Sequence, residues 1–502
     1  MAGLLSLPNE LLQEIVVETA RRADGKTLRL VCKQVNFALE PRILSTIGLS
    51  SIYLPSQLEN LATAEPKNFT PKGEAKVESF LGPAIGSLTG VRKVFWLMDC
   101  DPTWAILQVF DALASLPFLT DLHLRCWSFL DKSLQIRRLP HLEKLTVTRE
   151  SWRDNDRGAI VPIARLINWN QPTLTTLIIS EDGYYNDQKA PNLNDFFLET
   201  SKSSAFLNIT HLRLKGLFVK LDATVLPHLR SLISLTTQFI FTPQDQVPGN
   251  HDAGFSSGNV WLVLRLEKIH LQEIVTDDVQ LALIEYIASF YGLRHLRLNH
   301  VSSYYHTLPL ESDRLAIKFY EQALQNHIHS LDSLEIDTTY EGYWSFASHC
   351  SDIIKKCTGL TFLELSINSD DMAEEKDNKD DSSASGVNVI VRVPTPTSVQ
   401  SYRSKLPVQW SLLDICGTLP TLKTLKLFSA SPEHSRWSKH GTVAADHLTR
   451  TNARISRNVT SYKPITSSHA FRIFIVRDEF ELSHDGLGMN LGYRRVGRIT
   501  KH

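Results

Sequence analysis

Cysteine is scarce in this 502-residue chain. Six are present, at positions 32, 100, 126, 350, 357 and 416. That is too few for a disulfide framework. No two stand in a CxxC spacing, so neither a zinc ribbon nor a thioredoxin-type pair is expected. They read as buried, inert thiols. Net charge is lacking as well: 53 Lys and Arg stand against 54 Asp and Glu, leaving −1. No global field draws the chain to nucleic acid or to an anionic membrane, and neither is expected as a partner. Long apolar runs are missing too. No stretch reaches about 18 uninterrupted apolar residues, so no membrane span is expected. Met1 to Ala20 has no basic start, and Glu10 interrupts its apolar run. No secretory leader is expected there. The N-x-T triplets at Asn68, Asn208 and Asn458 then read as chance, and the expected location is cytosol, nucleus or both.

What is present is material for a large core. Apolar residues make up 42% and charged residues 21%, which excludes collagen-like and fully disordered classes. The first fifty residues read as a compact helical unit. Leu7, Leu11, Leu12 and Ile15 share one helical face, and Pro8 suits the first turn of that helix. Asp24-Gly25 breaks the chain. Leu28, Val31, Cys32, Val35 and Leu39 then form a second helical stripe, ended by Pro41. Ile43, Leu44 and Ile47 suggest a short third turn. A unit of about 45 residues buries few large side chains alone, and uncovered ones make an interface. The bottom-up expectation is a small docking module.

Leu7-Pro8-Asn9-Glu10-Leu11-Leu12-Gln13-Glu14-Ile15 followed by Leu28-Arg29-Leu30-Val31-Cys32-Lys33 resembles the F-box motif. The resemblance covers about 45 residues. It implies docking on a Skp-type adaptor and, through that adaptor, on a cullin-RING complex: an SCF-type ubiquitin ligase. By position it assigns Leu7, Pro8, Leu11, Leu12, Ile15, Leu28, Val31 and Cys32 to the adaptor contact or the core beneath it.

From Val91 onward an LxxLxL pattern recurs. Leu119-Leu122-Leu124, Leu142-Leu145-Val147, Leu174-Leu177-Ile179, Ile209-Leu212-Leu214, Leu293-Leu296-Leu298, Leu331-Leu334-Ile336, Leu360-Leu363-Leu365 and Leu422-Leu425-Leu427 are the clear copies. Val91-Val94-Trp96, Leu226-Leu229-Leu232 and Leu266-Ile269-Leu271 are weaker ones. Each copy reads as a short strand whose alternating residues share one side. Helical stripes precede five copies: those containing Ile106 and Phe110, Ile160 and Ile167, Ile284 and Tyr291, Ala316 and Tyr320, and Cys350 and Cys357. Helix then strand, repeated, is a solenoid signature. The pattern resembles degenerate leucine-rich repeats, of the kind seen in fungal F-box proteins.

The expected fold is therefore α/β: a small all-α F-box followed by an irregular leucine-rich-repeat solenoid. The expected divisions are the module at 1–50, a linker and cap at 51–90, the array at 91–428 and an irregular segment at 429–502. Residues 369–386 are acidic and almost devoid of large apolar side chains, and are expected to be disordered. Thr242 to Asn259 reads as a long loop, and Ser429 to Ser468 shows no clear period. Phe471 to Val476 reads as a strand, and Arg494, Arg495, Arg498 and Lys501 as a basic tail.

No motif for catalysis, metal or cofactor survives inspection. Gly254-Phe255-Ser256-Ser257-Gly258 matches G-x-S-x-G, but a nucleophile elbow needs a strand before it and a helix after. Turn residues precede this one, and Val260 to Leu264 reads as a strand. His349 and Cys350 with Cys357 could suggest a metal site, but Cys350 and Cys357, at i and i+7, fit the apolar stripe of a packed helix instead. The expected function is a substrate receptor that captures a protein substrate on its repeats and contributes no catalytic residue. The alternative is an F-box scaffold working outside any ligase. Trp127, Trp152, Tyr184, Tyr185, Tyr304, Tyr305 and Trp344 stand near strand copies, as partner anchors or as core.

Overall fold

The structure, a computed structural model, describes residues 45–50, 79, 81–98, 103–126, 139, 141–149, 157–181, 191–200, 205–240, 258–301, 309–369, 408–432, 441–464, 469–484 and 491–498. The chain divides into two units, Met1–Tyr286 and Ile287–His502.

The first unit is built on parallel strands that pair in chain order. These are β1 (Thr46–Ser50), β2 (Lys93–Met98), β3 (Asp121–Cys126), β4 (Lys144–Arg149), β5 (Thr176–Glu181), β6 (His211–Lys215), β7 (Ser234–Gln238) and β8 (Glu273–Thr276). Register is constant. Ile47, Val94, Leu122, Leu145, Leu177, Leu212, Leu235 and Ile274 stand in one row. Two residues on, the next row runs from Leu49 through Trp96 and Leu124 to Thr237 and Thr276. From β2 onward both rows are buried. A one-residue slip would turn the leucines to solvent, which pins the register. The connections carry α1 (Thr103–Ala114), α2 (Arg157–Trp169), α3 (Leu193–Phe197), a 3-10 turn at Leu226–Leu229 and α4 (Gly258–Leu266). Helix α5 (Leu281–Ile287) ends at the boundary between the units. Ile106, Val109, Phe110 and Leu113 of α1 and Ile160, Ile163, Ala164 and Ile167 of α2 are buried, as their spacing predicts.

The second unit repeats the plan with β9 (His295–Val301), β10 (Ser333–Thr338), β11 (Phe362–Ile367), β12 (Thr424–Ser429) and β13 (Arg472–Ile475), all parallel. Leu296, Leu334, Leu363, Leu425 and Ile473 form its first inward row. Then β14 (Asp478–His484) and β15 (Leu491–Arg498) reverse direction and pair antiparallel. The helices are α6 (Pro309–Lys318), which runs on through a π turn and a 3-10 turn to His327, α7 (Ser348–Lys356), α8 (Val408–Thr418) and α9 (Gly441–Ser461). The mixed α/β reading, with strand and helix alternating, therefore holds in both units.

Several elements differ from expectation. Ile47 lies in β1, not in a third helical turn, so the sheet begins inside the stretch assigned to the N-terminal module. Leu226-Leu229-Leu232 and Leu266-Ile269-Leu271 are out of phase. The real copies are Leu232-Leu235-Thr237 and Leu271-Ile274-Thr276. Their last inward residues are threonines, invisible to a search for leucine. Both are fully buried because Thr237 Oγ1 donates to Thr276 Oγ1 at 2.9 Å. Val260 to Leu264 is helical, part of α4, with Val260, Trp261 and Leu264 inward. Tyr291 is 76% exposed, and its neighbour Phe290 is buried instead. The stretch 429–468 contains the 21-residue α9. Its buried stripe, Thr451, Ile455 and Val459, is too narrow and too polar to register as an apolar period. Arg494, Arg495 and Arg498 belong to β15 rather than to a tail.

Candidate interaction surface and the joints between copies

The N-terminal candidates Leu7, Pro8, Leu11, Leu12, Ile15, Leu28, Val31 and Cys32 lie outside the described residues. So do Ser256, the acidic stretch 370–386, and Trp127, Trp152, Tyr184, Tyr185, Tyr304 and Tyr305. Trp344 is described and is core: it is buried against Phe319, and its carbonyl accepts the Tyr320 hydroxyl at 3.0 Å. Helix α4 starts at Gly258, two residues after Ser256, so the helix expected to be missing after G-x-S-x-G is present.

The alternation that buries the leucines turns the other strand residues outward. In the second unit the middle outward row reads Arg297, Glu335, Glu364, Lys426 and Phe474. Arg297 pairs with Glu335 at 3.3 Å and Lys426 with Glu364 at 3.4 Å. Lys426 Nζ also stands 4.8 Å over the Phe362 ring. Beside this row Arg294 pairs with Asp332 at 2.7 Å. Glu335 and Glu364 are cross-strand neighbours of like charge, an arrangement that opposes folding. Burial pushes the Glu364 carboxyl up, Lys426 pulls it back and Glu335 adds to the rise. Partly exposed pairs of this kind contribute about 0–1 kcal/mol each. The row therefore adds little to stability, while it gives the face a fixed pattern of charge and aromatic surface.

In the first unit the middle outward row reads Phe95, His123, Thr146, Ile178, Arg213, Thr236 and Val275. Phe95 and His123 meet edge to face at 3.8 Å. Asp121 lies between Lys93 at 4.0 Å and Lys144 at 3.7 Å.

A second arrangement recurs inside both units, and the leucine pattern did not reveal it. The backbone N–H of an apolar residue leading into a strand is accepted by a buried polar side chain from the following copy. Leu142 N–H donates to Asn170 Oδ1 at 2.8 Å, and Asn170 Nδ2 donates to Leu166 O. Leu207 N–H donates to His228 Nδ1 at 3.0 Å. Leu271 N–H donates to the Tyr286 hydroxyl at 3.1 Å, and that hydroxyl donates to Ile269 O at 2.7 Å. Leu293 N–H donates to His327 Nδ1 at 3.2 Å. All four acceptor residues are buried. An unmet buried N–H costs about 1–3 kcal/mol, so each joint ties two copies together.

The signal was in the sequence. Asn170, His228 and His327 each stand seven residues before the first inward residue of the next strand, Leu177, Leu235 and Leu334. The same offset elsewhere holds Ser87, Ser115 and Thr418. Their hydroxyls turn back to the carbonyls of Ala84, Ala112 and Ile415.

Both histidine rings are held neutral. Burial pushes the His228 pKa down, and burial pushes that of His327 down against a smaller upward pull from the Ile287 carbonyl. Burial pushes the thiols of Cys126, Cys350 and Cys357 up to about 12, and that of Cys416 up as well. Those four are free and buried; Cys32 and Cys100 lie outside the described residues. Cys350 and Cys357 are inward residues of the α7 region, while His349 is exposed and its Nε2 donates to Tyr343 O at 2.7 Å. Among the described residues no group of three or more His, Cys, Asp or Glu is placed to hold a metal ion. Among them, too, no helix is long and apolar enough to cross a membrane.

No family model matches this chain, and no curated protein does.

Proposed function

We propose that this chain is a substrate-recognition subunit of an SCF-type ubiquitin ligase, with an F-box at its N-terminus and degenerate leucine-rich repeats after it. Leu7, Pro8, Leu11, Leu12, Ile15, Leu28, Val31 and Cys32 dock on the Skp-type adaptor or support that contact. The outward strand rows hold a protein substrate. The chain supplies no catalytic residue. It works by proximity, raising the local concentration of substrate beside a ubiquitin-loaded enzyme held elsewhere in the complex. The observation that carries this reading is the pair of blocks LPNELLQEI and LRLVCK, in that order, ahead of an array of in-register strands.

The test is retention of adaptor and cullin by the full chain, beside a double variant Pro8→Ala, Leu11→Asp. Circular dichroism first establishes that the variant is folded. Wild type retains both partners, and the variant loses both. Retention of the adaptor without a cullin moves the protein to the scaffold reading. Failure of wild type to retain the adaptor, where a control F-box does, ends the F-box assignment.

A further inference from the structure

We propose that the joints at His228 and His327 are proton-sensitive, so that mild acid opens the array at these two places and leaves the joints at Asn170 and Tyr286 closed. The argument is geometric. At His327, Nδ1 accepts the Leu293 N–H, and Nε2 stands 3.0 Å from Ile287 O. A carbonyl only accepts, so Nε2 carries the proton and Nδ1 carries the lone pair. At His228, Nδ1 accepts the Leu207 N–H. Nε2 stands 3.3 Å from Thr200 Oγ1, whose own proton goes to Phe197 O at 2.7 Å. The chain of donors again leaves the ring proton on Nε2.

A second proton can go only on Nδ1. It would face the backbone N–H that Nδ1 now accepts: two donors, nose to nose, in a buried place. The joint must open before the ring takes that proton. Among the described residues no acidic side chain pairs with either ring to compensate an imidazolium. Around His228 stand the rings of Phe197 and Phe206, the Thr200 hydroxyl and the Leu207 N–H. Around His327 stand the Phe290 ring, the Ile287 carbonyl and the Leu293 N–H. Among the described residues no charged side chain contributes to the shift of either ring.

Asn170 and Tyr286 accept the equivalent N–H through groups that do not take a proton in this range. Of these four joints two are therefore acid-sensitive and two are not, within one chain. The sign follows from linkage. Both rings have pKa values below the ordinary 6.5. The histidine contribution is thus complete above about 6.5 and is lost as pH falls below it.

Native-state hydrogen exchange on the full chain, resolved by fragmentation to single amides, tests this at pH 7.5 and 5.5. After correction for the intrinsic rate, opening at the Leu207 and Leu293 amides rises by up to about ten-fold. At Leu142 and Leu271 it does not change. His327→Asn places an amide oxygen where Asn170 already shows that one works, and it abolishes the acid response at Leu293 alone. His228→Asn does the same at Leu207. An equal acid response at all four amides overturns the proposal, as does an acid response that survives the Asn change. Should either variant misfold, the four-way comparison in wild type decides alone.

Discussion

Asp277 follows the last residue of β8, buried, with Oδ2 accepting the Phe239 N–H at 2.9 Å. Burial raises its pKa from 3.8 to about 7, against a downward pull from that N–H and with a further push from Asp278. A raised pKa means that the folded state prefers the neutral acid. The stability this contributes is complete below about 3.8 and is lost as pH rises toward 7. Asp277→Asn keeps an acceptor for Phe239 and removes the titration. Its stability relative to wild type should grow between pH 5 and 7, by at most about 1.4 kcal/mol per unit, and level off above that. Urea titrations at pH 5, 6, 7 and 8 check this, and a difference independent of pH refutes the assignment. Because both proteins keep their histidines, the joint effect cancels in the comparison. Neither Asp277 nor the joint histidines drew notice in the sequence. The seven-residue offset of the histidines is visible in the sequence, but the same offset also holds Ser87, Ser115 and Thr418. By itself it reveals neither burial nor a distant backbone partner, and Asp277 carries no such mark.

Elements were legible where large apolar side chains carried the period. The stripe of α1 and the leucine pairs of β3, β9 and β11 are examples. They were not legible where hydrogen bonds replaced apolar contact. Helix α9 is anchored in part by Asn452, whose Oδ1 accepts the Ser429 N–H, and by Asn458, whose carbonyl accepts Trp410 Nε1–H at 3.0 Å. Strands β7 and β8 close on a threonine pair. The turn between β13 and β14 shows the converse, a residue working against its place. Val476 has φ +56 and is 63% exposed. A left-handed backbone costs a side chain about 1–2 kcal/mol, and a β-branched one suffers most. Glycine also loses more chain entropy on folding, which offsets part of the gain. Val476→Gly should still stabilise the protein by about 1 kcal/mol, visible as a higher denaturation midpoint. A lower midpoint would show that Val476 makes a contact worth more than its strain.

At the scale of the whole molecule, register is kept in space and not along the chain. Leu212 and Leu235 are 23 residues apart, and Leu363 and Leu425 are 62 apart, yet both pairs are direct cross-strand neighbours. A period measured along the sequence dissolves under such insertions, which is why the repeats look degenerate and why two of the three weaker copies fell out of phase, while Val91-Val94-Trp96 stands in register. The outward rows keep their alignment regardless, and that is what a receptor surface requires. Glu335→Gln with Glu364→Gln removes two half-buried charges from the centre of one row. The fold should shift by less than about 1 kcal/mol. In the proposed receptor, adaptor retention stays at the wild-type level and substrate capture falls. Unchanged capture would move the recognition surface away from this row.

The joints also have a direction, since in all four the leading amide comes from the earlier copy and the side chain that accepts it from the later one. A chimera cut between Leu142 and Asn170, or between Leu293 and His327, therefore separates a donor from its acceptor even when every strand is kept whole. The exchangeable cassette in this architecture is not strand plus helix. It is the span from one leading amide to the side chain that receives it, and any transplant, deletion or shuffled library that respects strand boundaries alone will break bonds at its seams.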